Sequence, residues 1–243
     1  MVRFHGDTLP EGVIKSGRIV KRASGWYYCL FIDAPVRPIV PMAGGKVGID
    51  PGFKTLLTLS SGEKIEHPRE LESLEWRLAQ AQRGGNKRLV ARLQERIANK
   101  RKDRNHKISA RLVAENELIA FGRDKHFAVA KKFGKSVSSS GHGQLQRMIR
   151  YKAGASSRSY VEPLANNSTK TCSTCGALTG PTGLAGLSVR HWVCQVCGTH
   201  HDRDVNAAVN TLDAGVRLAA EIQAVREESR DPRVDTVVSM VSV

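Results

Sequence analysis

The sequence predicts an α/β protein that carries a four-cysteine zinc knuckle. Three observations carry that reading. Short runs rich in β-branched, aromatic and other apolar residues recur at 12–33, 46–66 and 118–121. A long, basic, helix-periodic stretch over 67–116 separates the last two. Two Cys-x2-Cys pairs, Cys172/Cys175 and Cys194/Cys197, stand just ahead of a final helical stretch.

The bulk values narrow the class further. A chain of 243 residues suits one or two domains with a real core. Hydrophobic content of 40% and charged content of 25% are those of an ordinary soluble globular protein. No apolar run approaches the roughly 20 residues that span a bilayer. The start, Met1 to Asp7, has no apolar signal core, so a cytosolic location is expected. The unusual values are a formal charge of +15 and a pI near 10.0. Such an excess favours a polyanion. Aromatics are only 5% and the charge is spread over several segments, which favours nucleic acid over a membrane surface. No small-molecule substrate is expected.

Taken in order, residues 12–33 read as two strands. Val13-Ile14-Lys15 and Arg18-Ile19-Val20 lead to a Ser24-Gly25 turn, and Trp26 to Ile32 returns. Cys29 in that run reads as a small core residue. Pro35, Pro38, Pro41 and Gly44-Gly45 form a linker. Lys46 to Gly52 is a strand that ends on Asp50 and turns at Pro51-Gly52. Leu56 to Leu59 is a second strand, Ser60-Ser61-Gly62 a hairpin turn, and Lys64-Ile65-Glu66 a third strand. The helical stretch 67–116 has two arms broken at Gly84-Gly85, with Leu89, Leu93 and Ile97 as its apolar stripe. Lys87, Arg88, Arg92, Arg96, Lys100, Arg101, Lys102, Arg104 and Lys107 meet few balancing acids, which suggests a face that tracks phosphates. Leu118 to Phe121 is a short strand, Lys131 to Ser140 a polar loop, and Gln144 to Lys152 a basic helix carrying Arg147, Arg150 and Lys152. Ser159-Tyr160-Val161 is one more strand. A helix runs from about Asp204 to Arg226, and the last dozen residues read as a frayed tail.

In Cys172, Cys175, Cys194 and Cys197, each pair sits on a tight turn followed by Gly176 or Gly198. Two such turns aim four thiolates at one point, and four protein ligands leave no open position, so the expected Zn2+ is structural. Two disulfides are a poor alternative in a cytosolic protein. Lys170, Arg190, His191 and Trp192 make this segment a plausible nucleic-acid contact.

The remaining chemistry lies in acids. Metal-dependent phosphodiester cleavage needs cations held by carboxylates on neighbouring elements, and Mg2+ prefers such ligands. Asp50 ends a strand, and Asp202 and Asp204 open the last helix directly after the cysteines. Singly, Asp50 serves as a turn acid and Asp204 as a helix N-cap. Their order along the chain, with the zinc segment between, favours a shared site.

Gly48-Ile49-Asp50-Pro51-Gly52, Thr171 to Gly176, Cys194-x2-Cys197-Gly198, Asp202 to Asn210, and Tyr151-Lys152-Ala153 together resemble TnpB. This is the family of RNA-guided nucleases of bacterial insertion sequences, related to type V CRISPR effectors. The resemblance runs from about residue 46 to 212, and 12–33 resembles the end of the family's wedge barrel. It implies an RNase H-like (RuvC) fold with a helical insertion and an inserted zinc ribbon, a guide RNA and a target DNA. The implied organisation is a partial wedge domain and linker over 1–44, a RuvC-like domain over 45–167 with arms at 67–116, a zinc ribbon over 168–201, the last RuvC-like helix over 202–228, and a tail over 229–243. A bacterial, cytoplasmic, nucleoid-associated location goes with it.

Two departures follow. The family's second catalytic acid is a Glu that ends the strand after the helical arms, and Gly122 falls there, followed by Arg123. An Arg brings like charge toward the metals. The family's first wedge strands and its helical recognition domain have no counterpart in the chain. Asp50, Asp202 and Asp204 are then remnant catalytic residues, with Gly122 marking the lost Glu. The leading expectation is a nuclease-deficient, RNA-guided DNA-binding protein that acts by occupying its target, as in transcriptional repression. A second is an active DNA endonuclease in which Asp124, Glu117 or Glu162 replaces the acid and Mg2+ is bound. A third is an RNA-binding remnant. The nucleic-acid contacts expected are Lys87, Arg88, Arg92, Arg96, Lys100, Arg101, Arg104, Arg147, Arg150, Lys152 and Lys170.

Overall fold

The computed structural model describes residues 11–34, 39–42, 44–52, 54–67, 69–123, 141–164, 166–182, 186 and 188–228. Asp124, the loop Lys131 to Ser140, Pro35, Pro38 and the tail lie outside the described residues. Two compact units divide the chain: Met1–Ile39 with Pro68–Lys107, and Val40–His67 with Ile108–Val243.

In the first unit, β1 (Val13–Arg22) and β2 (Gly25–Asp33) form an antiparallel hairpin, with Arg22 opposite Gly25 at the turn. Ser24 in that turn donates its amide (2.9 Å) and its hydroxyl (2.6 Å) to the Glu95 carboxylate. Basic side chains lie over the hairpin's aromatics: Arg18 over Phe31, Lys21 over Trp26 and Arg22 over Tyr27. Cys29 is half-buried rather than a core residue. The helices are α1 (Arg69–Arg83) and α2 (Lys87–Glu115), separated where Gly84-Gly85 predicts, with Asn86 Oδ1 accepting the Leu89 amide at the start of α2. Their shared core is Leu74, Ala81 and Leu93, with Leu78, Val90 and Ile97 against it. Val90 takes the place expected of Leu89, which is exposed. The reason is helical pitch: a 90/93/97 spacing stays on one face, whereas repeated steps of four drift by about 40° each.

The second unit is built on a five-stranded sheet in the order β5-β4-β3-β6-β7. Its strands are β3 (Gly45–Pro51), β4 (Thr55–Leu59), β5 (Lys64–Glu66), β6 (Asn116–Phe121) and β7 (Ser159–Val161). The first three form an antiparallel meander; β6 and β7 run parallel to β3. Helix α2 passes directly into β6, and Asn116 donates its side-chain amide to the Leu112 carbonyl at that junction (2.9 Å). Helices α3 (His142–Ala155) and α4 (Arg203–Glu228) complete the layer. Ile49, Leu56, Leu57, Ile119, Phe121 and Ile149 are fully buried, each worth about 1.5–3 kcal/mol in apolar burial. Helix α4 crosses β3 so closely that a side chain at Gly48 would run into the Ala208 carbonyl and the Leu212 amide. That contact fixes α4, and the acids at its start, to the strand that carries Asp50.

Candidate functional site

The four-cysteine segment is two short hairpins. Thr171 bridges Leu178 around the first Cys pair; β8 (His191–Val193) and β9 (His200–Asp202) pair antiparallel around the second. Both Cys-x2-Cys turns close the same way. The Cys172 amide donates to Ala177 (2.8 Å) and the Gly176 amide to Cys172; the Cys194 amide donates to Thr199 and the Gly198 amide to Cys194 (2.9 Å each). Gly176 and Gly198 have φ of +79° and +71°, which a side chain disfavours.

The four Sγ atoms lie within 4.8 Å of one another. Cys172–Cys197 is 3.7 Å and Cys175–Cys194 is 3.6 Å. A disulfide requires about 2.05 Å. A tetrahedron with Zn–S bonds of about 2.3 Å has edges of about 3.75 Å. The donor set therefore fits zinc. Thr179 donates its hydroxyl to Cys194, and Thr199 lies at the same 3.2 Å from Cys197. Thr179's hydrogen bond is the main cause that brings the Cys194 thiol down to about 5, and Thr199's lowers Cys197. At Cys175 the Ala177 amide pulls the thiol down, but desolvation and the three neighbouring thiols outweigh it and push it up to about 12. His201 Nε2 lies 3.0 Å from Cys172 Sγ, and its ring packs on the buried Trp192.

The acids sit at the two ends that the sequence indicates. Asp50 is half-buried, opposite Thr58 on β4. Ile49 pairs with Phe121, and the Gly122 amide donates to the Ile49 carbonyl (2.9 Å). Gly122, directly after β6, is therefore the residue beside Asp50. Asp202 takes the capping role expected of Asp204: its Oδ1 accepts the amides of Asp204 (3.0 Å) and Val205 (3.1 Å). The helix begins at Arg203, so the cap falls on Asp202, two residues before Asp204. Asp202 also pairs with Lys64 at 2.6 Å. Burial raises the Asp202 carboxyl, but Lys64 and the two amides outweigh it and hold the group below its usual range. Asp204 pairs with Arg190 at 3.0 Å. Among the described residues, the group of three or more metal-binding side chains with converging ligand atoms is the cysteine set; Asp50, Asp202 and Asp204 do not form another.

Of the substitute acids, Glu117 lies at the far end of β6 beside Lys46, five residues and about 16 Å of strand from Gly122. Glu162 follows Val161, the partner of Ala120, so it shares the sheet end of Asp50. It is held by Arg150 and accepts from the Tyr160 hydroxyl (2.9 Å). Burial, and then the Glu162 charge, raise the Tyr160 hydroxyl.

The basic residues divide. Lys87, Arg88, Arg92, Arg96 and Lys100 are exposed along α2, and Arg147 is exposed on α3. Arg101 and Lys170 are half-buried. Arg104 folds onto Asn105 (2.9 and 3.1 Å), and Arg150 pairs with Glu162. Lys152 turns inward to Ser109 (2.7 Å), and burial lowers its ammonium. Residues that sequence reasoning left without a role are Asn206 and Asn210, whose side-chain amides each reach the Ser168 and Thr171 carbonyls. The sequence signal was present as Asn-x3-Asn on one helix face, but its partners lie far upstream.

Comparison with known proteins finds two family models in this chain: a Cas12f1-like TNB domain over residues 142–211 and a probable transposase over 32–123. A putative RNA-guided DNA endonuclease of Streptomyces pristinaespiralis is 36% identical over 245 residues, covering 93% of this chain and 60% of that protein. The putative RNA-guided DNA endonuclease InsQ of Escherichia coli is 25% identical over 249 residues, covering 90% and 61%. A TnpB-like protein of Acanthamoeba polyphaga mimivirus is 27% identical over 201 residues, covering 70% and 37%. The chain thus spans about 60% of the length of the first two relatives. Among solved structures, a Cas12f1–sgRNA–target DNA complex matches with a TM-score of 0.55 and 19% identity, over 80% of this chain and 55% of that one. A CRISPR–Cas12f ternary complex matches with the same score and 18% identity, over 78% and 42%. At these identities the structural matches show a shared fold.

Proposed function

This chain belongs to the TnpB family, and we propose that it is an RNA-guided DNA-binding protein whose RuvC-like nuclease site has degraded. In this reading the second unit is RNase H-like, which a meander of three antiparallel strands followed by two parallel ones supports. The wedge, RuvC-like, zinc-ribbon and tail boundaries drawn from the sequence are part of the same proposal. So is zinc as the occupant of Cys172, Cys175, Cys194 and Cys197, where it supplies four metal–thiolate bonds that hold both turns. Guide RNA and target DNA are the proposed partners. Exposed Lys87, Arg88, Arg92, Arg96, Lys100 and Arg147 supply phosphate contacts. No helix among the described residues is long and apolar enough to cross a membrane. A cytoplasmic, nucleoid-associated place completes the reading.

One observation carries the loss of cleavage: Gly122, directly after β6, bonds to Ile49 and so lies beside Asp50. No carboxylate is available from that position, and Lys64 and Arg190 already neutralise Asp202 and Asp204. Without cleavage the protein acts by occupancy, blocking transcription or another protein at its target. The test is purified chain with its own guide RNA, target DNA and Mg2+. Retarded, intact DNA is expected. Cutting that Asp50→Ala abolishes would defeat the proposal, and RNA binding without DNA retention would favour an RNA-binding remnant.

A second reading, an active endonuclease with a relocated acid, draws support from Glu162 at the Asp50 end of the sheet. Loss of cutting with binding kept, in Glu162→Ala or Asp124→Ala, would establish it.

A further inference from the structure

We infer that Asn206 and Asn210 couple metal occupancy of the four-cysteine centre to the acid-bearing first turns of α4. The two residues are four apart and share one helix face. Asn206 Nδ2 donates to the carbonyls of Ser168 (3.0 Å) and Thr171 (2.8 Å), and Asn210 Nδ2 donates to the same two (2.8 and 2.7 Å). Asn206 Oδ1 accepts the Ser173 amide (2.9 Å). Ser168 and Thr171 precede Cys172 and Ser173 follows it, so the asparagines grip the Cys172 segment on both sides. Asn206 is only 2% exposed, so water does not replace these bonds in place.

A separate link runs through His201, which contacts Cys172 Sγ at 3.0 Å and precedes Asp202, the cap of α4. Both links end on the same two turns, which carry Asp202 and Asp204. No cysteine contact to either acid is needed. The geometry of the Cys172 segment is set by its metal–thiolate bond and handed to α4 through backbone carbonyls. When the metal leaves, four thiols lose the bonds that hold them together. The Cys172 segment then relaxes, and the start of α4 loses five hydrogen bonds. Asn206 and Asn210 are positioning residues in this scheme. The inference rests on the metal–thiolate reading of the cysteines and is independent of whether the acid site cuts DNA.

The experiment uses the full chain, zinc-loaded and chelator-stripped, with two readouts. Zinc content and affinity are measured by metal analysis and competition with a chromophoric chelator. Hydrogen exchange is followed at residues 203–211, with Val47–Ile49 and Ile119–Phe121 as internal controls. In the wild type, stripping should speed exchange at 203–211 by about tenfold or more while the control strands hold. Asn210→Ala should still bind one zinc, with affinity lower by about tenfold, and its exchange at 203–211 should respond little to stripping. Asn206→Ala should behave alike. If it does not fold, the half-buried Asn210 site carries the test alone. Faster exchange confined to the two cysteine turns, or a wild-type response in Asn210→Ala, would overturn the coupling. A wild type that binds no zinc would overturn the metal reading itself, a distinguishable failure.

Discussion

Placing an acid at position 122 tests the proposed loss most directly, and the structure says how much the backbone will tolerate. A Cβ on Gly122 would meet the Ile49 carbonyl at 3.1 Å, with Pro51 Cδ and Thr211 Oγ1 at 3.5 Å. The first contact needs a few tenths of an ångström of give; the others are ordinary. Against that strain stands the reduced freedom of the unfolded chain, worth about 0.4–1 kcal/mol for Gly→Ala. The two nearly cancel, so Gly122→Ala should change stability by no more than about 1 kcal/mol, or about 4 °C in Tm for a chain of this size. Gly48→Ala is the contrast. Its Cβ would sit 2.6 Å from the Leu212 amide and closer still to the Ala208 carbonyl. Both are backbone atoms of α4, so the helix must lift, at about 2–4 kcal/mol and roughly 6–12 °C. With the backbone cost bounded, Gly122→Glu isolates the carboxylate. Mn2+ at ten times its Kd would stabilise a restored site by about 1.4 kcal/mol, or about 3–6 °C in thermal unfolding. The wild type should show no such shift. If Gly122→Ala falls as far as Gly48→Ala, the placement of Gly122 is wrong. If the wild type gains the same Mn2+ stabilisation and Asp50→Ala removes it, the proposal that Gly122 disables the site is wrong.

Three other outcomes follow from the same contacts. Asp202→Asn keeps a capping oxygen and loses the charge paired with Lys64, so it should cost about 0.5–1 kcal/mol at pH 7. The folded carboxyl titrates below its unfolded value. Its contribution is therefore full above about pH 5 and disappears as pH falls through about 3.9 and below; urea denaturation at several pH values would show the gap between wild type and variant closing. Replacing Arg88, Arg92, Arg96 and Lys100 with Ala should flatten the salt dependence of RNA binding by about three in log–log slope, whereas Lys152→Ala, which removes the bond to Ser109, should lower Tm and leave that slope unchanged. Cys194→Ser should abolish stoichiometric zinc binding and, in cobalt-loaded protein, the thiolate charge-transfer band of the wild type. An unaltered band would disprove ligation by Cys194.

The strands around Asp50 were legible because each is a short apolar run closed by a turn signal, and the sheet buries those runs without exception at Ile49, Leu56, Leu57, Ile119 and Phe121. The break in the helical arms was legible at Gly84-Gly85, and the thiol cluster in the spacing of its cysteines. What stayed hidden depends on partners distant in the chain. Lys152 looks like one more phosphate contact until Ser109, 43 residues earlier, draws it inward. Asp204 looks like the cap because a two-residue shift in a helix start leaves no mark on composition. The least legible feature was the reason for the spacing in Asp202 to Asn210. Asp202 caps the helix, Asp204 meets Arg190, and Asn206 and Asn210 hold the segment that carries Cys172. Helical pitch places the two asparagines one turn apart, close enough to share the same two carbonyls. The block is therefore one physical device. Its first residues shape the acid site and its last ones bind that site to the cysteine centre, which is why a change at either end should be felt at the other.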